Sequence, residues 1–367
     1  MNRRIFLAGS AAVQGAFAQP ANNRVGTAVI GVGNRGSYLL GAVMKQPEAQ
    51  VVAICDNKPD CLDKAATAAA RFNPATTSDW RKVLDRKDVE AVYIATPPHL
   101  HAEMAAAALR AGKHVYCEKP VGVTAAQVRE LVKVAKSSKT VFVSGQQMRS
   151  FKQIGEAVRK IREGAIGDVI WVKAQRHGSA DLPHDSSSAD WYFDVSKSGG
   201  YLIEMSVHNL DACNWAIGSR PVRACGFGGI QLYKNDPPGR SILDCGSLTY
   251  EYANGVQMSF TQNVFHPRTL PVGDQTIYVY GTKGAVDLLG GAMLHPLARG
   301  GQASVLAAKQ AEEPDAHITA FYASITKGAP SPADITVGAT AALTAILGHE
   351  AMMRKAVVNW SDLGVEI

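Results

Sequence analysis

No apolar run in the 367-residue chain approaches the ~20 residues of a membrane span, so no membrane anchor is expected. No basic block is present either. The formal charge of +6 falls to +4 without Arg3 and Arg4, leaving 36 basic against 32 acidic residues, which is no nucleic-acid footprint. The six cysteines (55, 61, 117, 213, 225 and 245) form no C-x-x-C pair and no zinc spacing. Cys55 and Cys117 lie in apolar strand patterns and read as buried thiols, although an even count also allows disulfides in an exported chain. His99 and His101 lack a third ligand at suitable spacing, so no metal is expected. No internal repeat recurs. What remains, 46% hydrophobic and 19% charged residues, suits a globular protein of about two domains.

The densest signal is Val25–Gly36, V-G-T-A-V-I-G-V-G-N-R-G. A β-branched strand feeds a glycine turn, and a helical pattern follows. Gly31 permits the tight turn, Gly33 lets backbone approach a pyrophosphate, and Gly36 lets helix pack on strand. Asn34 and Arg35 complete the turn, and the free amides of the helix start face an anion. A second strand ends in Asp56, twenty residues beyond Gly36. A carboxylate there accepts ribose hydroxyls of NAD and repels the 2′-phosphate of NADP, while Lys58 is the cation that leaves room for NADP. NAD is therefore the expected cofactor.

Strands are expected at 24–32, 50–56, 90–95, 113–117 and 140–145, with helices at 35–45, 59–72, 99–111 and 124–136. That alternation predicts an α/β Rossmann domain over 24–148, with its ligand crevice at the carboxyl ends of the strands. Those ends carry Thr96-Pro97-Pro98, Glu118-Lys119-Pro120 and Gln146-Gln147. From 149 to 367 the pattern changes. A helix at Ile154–Glu163, a strand at Val169–Gln175 and a polar loop at His177–Ser198 precede a helix at Tyr201–Ile217. Alternating strands at 223–231, 243–252, 255–265 and 275–281 then predict an α+β domain with an open, mostly antiparallel sheet. Closing helices fall near 314–327 and 338–355, the second able to pack on either domain, and 290–303 reads as a flexible Gly-rich loop.

The glycine turn, T-P-P-H-L-H at 96–101 and Glu118-Lys119-Pro120, in that register, resemble the Gfo/Idh/MocA oxidoreductase family, named for glucose–fructose oxidoreductase and inositol dehydrogenase. The likeness is strong over 24–150 and carried by spaced motifs to 285. Thr96, Pro97, His101, Glu118 and Gln147 then join the expected cofactor contacts. Lys119, over the crevice, is placed to hold a reacting hydroxyl or carbonyl oxygen.

A second segment runs from Ser198 to Trp215. On one helix Glu204, His208 and Asp211 fall at i, i+4 and i+7, sharing a face that Trp215 extends as packing. A carboxylate four residues before a histidine orients the imidazole for proton transfer. The resembling family has G-G-x-x-x-D-x-G-x-H-x-x-D here, with the histidine as acid/base. This chain departs twice, with Glu204 for Asp and Ser206 for Gly. Lys119, His208 and Glu204 are thus the expected catalytic set. Arg176, His177, His184, Asp190, Trp191 and Tyr192 cluster before that helix, where aromatics and hydrogen-bonding groups suit a sugar. Arg176, Trp191, Tyr192 and Asn209 are the expected substrate contacts.

The expected reaction is hydride transfer between a sugar, polyol or glycoside carbinol and nicotinamide. Two rivals stand beside it: glycoside cleavage through a transient keto-sugar, and a non-catalytic sugar-binding protein that retains NAD. The leader, with Arg3-Arg4 and Ala16-Phe17-Ala18, resembles a twin-arginine signal peptide over 1–18 and predicts periplasmic or secreted protein, or cytoplasmic protein if it does not function. It holds no cysteine for a lipid anchor. The open sheet face predicts a homo-oligomer.

Overall fold

The computed structural model describes residues 24–179, 189–311, 313 and 315–367; the leader 1–18 and His184 lie outside them. The first sheet holds six parallel strands: β1 (Val25–Ile30), β2 (Ala49–Cys55), β3 (Ala75–Thr77), β4 (Ala91–Ile94), β5 (His114–Cys117) and β6 (Phe142–Ser144). Their order is β3-β2-β1-β4-β5-β6, the doubly wound arrangement whose order reverses between β1 and β4. Helices α1 (Asn34–Val43), α2 (Pro59–Ala68), α3 (Trp80–Leu84), α4 (His101–Arg110) and α5 (Ala125–Ser137) connect them. Strand β3 and helix α3 were not expected: three and five residues are too short for periodicity to register.

After α6 (Lys152–Arg162) comes a nine-stranded sheet. Its strands are β7 (Val169–His177), β8 (Pro221–Gly229), β9 (Cys245–Tyr252), β10 (Gln257–Asn263), β11 (Gln275–Gly281), β12 (Gly284–Asp287), β13 (Met293–Pro296), β14 (Ser304–Val305) and β15 (Val358–Asn359). All pairings are antiparallel except β7 with β10. The segment expected to be a flexible loop at 290–303 instead contains β13, paired with β12 and β14. Four residues with little alternation carried too weak a signal. Between β7 and β8 the described residues form four helices: α7 (Ala189–Tyr192), α8 (Val195–Ser198), α9 (Tyr201–Glu204) and α10 (Val207–Ile217).

The last two helices, α11 (Ala316–Lys327) and α12 (Ile335–Arg354), return to the first domain. Ile318, Phe321 and Tyr322 of α11 close a core with Val29, Tyr93 and Tyr116 of the first sheet. Tyr93 stacks on Tyr116 at 5.0 Å, with Phe321 edge-on to Tyr93 at 5.3 Å. Asp334 caps α12 by accepting from the Val337 amide at 3.0 Å. By length and composition α12 is apolar enough to cross a membrane, but most of it is buried here. It packs on both domains. A Cβ at Gly338 would lie 2.7 Å from that of Ser144 in β6, and one at Gly348 would lie 2.0 Å from the Tyr250 hydroxyl in β9.

Candidate active site

The glycine turn sits where β1 meets β4. Gly31 has φ +82° and its Cβ would strike the Ala95 carbonyl oxygen at 2.7 Å; a Cβ at Gly36 would lie 1.8 Å from the Gly31 oxygen. Both positions demand glycine. Gly33 begins α1 without any side-chain cap, so the first amides of the helix, from Asn34 and Arg35 onward, stay open to a phosphate. At the end of β2, Asp56 accepts from the Val32 amide at 2.7 Å and the Lys58 amide at 2.8 Å. This fixes a carboxylate beside the turn. A tight glycine cradle, an uncapped helix start and an adjacent acid fit the diphosphate and ribose of NAD. Lys58 itself reaches Asp190 at 3.0 Å.

Across the crevice, Arg35 donates to Glu118 at 2.7 Å and to the Gln147 side-chain oxygen at 2.8 Å. The glycine turn, the end of β5 and the end of β6 are thereby linked by three of the residues expected to touch cofactor. Thr96 and Pro97 follow β4. His101 does not face the cofactor as expected. It is 2% exposed, with its ring nitrogens each 2.7 Å from a carbonyl oxygen, those of Thr96 and Pro120. It ties the loop after β4 to the loop after β5 and has no nitrogen left for a ligand.

The expected stripe of Glu204, His208 and Asp211 is present on a helix that is broken. The Ser206 amide bonds the Tyr201 carbonyl, a five-residue reach that widens the turn between α9 and α10. Each member then meets a different residue from the strand ends of the first sheet or the turn after β6. Lys119 Nζ donates to Glu204 Oε1 and to the Glu204 carbonyl, both at 2.7 Å. His208 Nδ1 lies 3.1 Å from Gln146 Oε1. Arg149 donates to both Asp211 oxygens, at 2.9 and 2.8 Å, with its guanidinium 4.6 Å over the Trp215 ring.

This corrects the expectation that Glu204 orients the imidazole. The carboxylate is committed to Lys119, and Gln146 orients His208 instead. With Gln146 presenting its carbonyl oxygen, Nδ1 carries the proton and Nε2 keeps its lone pair. Burial, then the charges of Lys119, Arg176 and Arg35, hold His208 well below the usual imidazole range, so it is neutral. Glu204 Oε2 is buried with no partner. A buried acceptor left open beside a lysine and a neutral imidazole suits a hydroxyl-bearing ligand.

Arg176, at the end of β7, stands beside the Tyr201 hydroxyl, which burial raises to about 12 against the pull of that arginine. Tyr192 is 7% exposed and close enough to Glu204 for the carboxylate to reinforce what burial does to its phenol. Trp191 packs edge-on to it at 5.9 Å. Asn209 is fully buried, donating to the Gln175 carbonyl at 3.5 Å while its side-chain oxygen has no partner. His177 turns to the other face of the sheet and pairs with His266 at 3.2 Å.

Sequence reasoning placed Gln146 at a crevice strand end without giving it a role, and missed Arg149 and His317. The first two adjoin Gln147, where the strand end was already marked. His317, on α11, is 5% exposed with an unpartnered Nε2, and its ring lies 5.9 Å from Tyr116. Nothing local in the sequence tied it to a site two hundred residues earlier. All six cysteines are free thiols; Cys55, Cys117 and Cys213 are buried and Cys225 is exposed.

A switch-point dinucleotide crevice, facing a second domain that supplies polar and basic groups, defines a Rossmann oxidoreductase. Residues 25–146 match the oxidoreductase family with an NAD-binding Rossmann fold, and residues 154–287 match the GFO/IDH/MocA C-terminal domain. The chain belongs to the Gfo/Idh/MocA oxidoreductase family. It is 30% identical over 265 residues to inositol 2-dehydrogenase of Rhizobium meliloti (strain 1021), covering 70% of this chain and 73% of that protein. It is 28% identical over 271 residues to 2,7-anhydro-N-acetylneuraminate hydratase of Mediterraneibacter gnavus, covering 72% and 67%. A solved levoglucosan dehydrogenase, in complex with NADH and levoglucosan, shares the fold at TM-score 0.76 and 23% identity, over 92% of this chain and 99% of that one.

Proposed function

We propose that this protein oxidises a carbinol of a sugar or polyol to a carbonyl, and runs the reverse reaction, with NAD as redox partner. The observation that carries the reading is the pairing of Lys119 with Glu204 and of His208 with Gln146 across the mouth of the dinucleotide crevice. When bound, the nicotinamide supplies the hydride acceptor. Lys119 holds the reacting oxygen, and His208 Nε2 takes its proton as the C–H hydride leaves. Glu204 keeps Lys119 in place and offers Oε2 to a neighbouring hydroxyl. Asp56 and the glycine turn hold the nucleotide.

Likeness to an anhydroneuraminate hydratase favours a second reading, in which the same hydride step serves a redox-neutral cleavage of a glycoside. Export rests on the twin-arginine pattern at Arg3-Arg4, and self-association on the open sheet face, where Phe227 is 72% exposed and Trp171 38%. The test is to purify the protein, identify its bound nucleotide, and screen sugars and polyols for a change in absorbance near 340 nm. No absorbance change with any polyol, in either direction, refutes the reading.

A further inference from the structure

Three acids of the cleft are each held by a cation. Glu118 is bonded to Arg35, Glu204 to Lys119 and Asp211 to Arg149. Arg176 makes no ion pair among the described residues. Its neighbours in the sheet are neutral on both sides: Gln262 of β10 and Gln275 of β11 stand opposite it in register. Its side chain shares a face of β7 with the buried Val172 and Ala174, the face covered by α10, and its Nε is buried with no partner. Tyr201 and His208 both feel its charge.

We infer that the substrate is an acidic sugar or sugar acid, whose carboxylate is received by Arg176 while a neighbouring hydroxyl donates to Glu204 Oε2. The inference rests on the sugar-oxidising reading above and narrows it. A planar guanidinium with an open Nε–H is the donor that recognises a carboxylate through two parallel bonds, whereas a neutral hydroxyl uses one. A half-buried cation without a counter-ion is also costly to hold in the free enzyme, and an anionic ligand supplies the missing charge. Glu118, Glu204 and Asp211 are each engaged by another cation and are not free to serve Arg176.

The test uses the full-length protein with NAD and matched pairs of probes: glucose with glucuronate and gluconate, galactose with galacturonate and galactonate. Turnover is followed by nicotinamide absorbance and binding by calorimetry. The expected result is a higher kcat/KM for acids than for their neutral parents. In Arg176→Gln the acid-to-neutral ratio falls about 10–100-fold, the scale of a charge-assisted hydrogen bond, with partial recovery in Arg176→Lys. Neutral sugars turning over better than acids, or a ratio unchanged in Arg176→Gln, overturns the inference and leaves the dehydrogenase reading standing. If no probe of either kind binds or reduces NAD, the sugar-oxidising reading falls and the inference with it.

Discussion

Replacing Asp211 by asparagine removes one charge from a pair that ties the turn after β6 to α10. The Asp211 side chain is 2% exposed and the Arg149 side chain 15%. Two bonds of 2.9 and 2.8 Å hold them, and burial lifts the Asp211 carboxyl despite Arg149, so the ionised pair stands against a desolvation cost. Asparagine keeps the shape and one acceptor but leaves the guanidinium without a counter-charge. Breaking such a pair costs about 3–5 kcal/mol. Arg149 keeps the Trp215 ring and a little solvent, which places Asp211→Asn at the lower end, about 3 kcal/mol. At about 2 cal/mol/K per residue of unfolding entropy, a chain of 367 residues then loses about 4 °C in Tm. The assay is calorimetry on Asp211→Asn, Arg149→Met and the double variant Arg149→Met/Asp211→Leu. The double variant is expected to lose less than either single one, because two apolar groups leave nothing unpaired. Asp211→Asn within one degree of the parent, or losses that simply add, refutes the idea that the pair is a closed buried unit.

Lys119→Met and His208→Ala are each expected to lower kcat by at least ~10²-fold while NADH binding, read by fluorescence titration, changes by less than about threefold. Because His208 is held neutral by burial and surrounding cations, kcat/KM is expected to stay flat as pH falls through ~6.5 and to drop only below it; half-loss of rate at the free-imidazole value counts against His208 as base. His177 and His317 are both pushed down to about 4, so the folded chain takes up fewer protons than the unfolded one. Their stabilising share is intact above ~6.5 and lost as pH falls toward 4, which denaturant titrations at stepped pH read directly. NAD is expected to bind more tightly than NADP, and Asp56→Ser to narrow the gap; equal affinities in the parent protein remove Asp56 from the choice.

Sequence periodicity revealed the first sheet because its strands are long or flanked by glycine and proline, and the fold class followed. The site was half legible. The i, i+4, i+7 stripe places Glu204, His208 and Asp211 together, but its partners were not visible. Gln146, Lys119 and Arg149 come from strand ends far away in the chain, and only packing brings them to α9 and α10. The break at Ser206, where the resembling family has glycine, was seen as a departure but not as the turn that aims Glu204 at Lys119. His101, expected at the cofactor, has both ring nitrogens on backbone carbonyls. Polar residues inside a motif look like ligands, and burial is what distinguishes a strut from a contact. Short strands such as β13 and β14 fall below the length at which alternation has meaning.

The return of α11 and α12 to the first domain sets the timing of biosynthesis. One core of the first sheet is finished only by Ile318, Phe321 and Tyr322, and the face around Ser144 only by Gly338. At ~5–20 residues per second, the ribosome needs roughly 10–40 s after completing β6 to deliver the end of α12. Until α11 is made, Tyr93 and Tyr116 lack the aromatic cover of Phe321 and Tyr322. Shortening the chain within α11 or α12 is therefore expected to strip the nucleotide-binding half as much as the half that comes later.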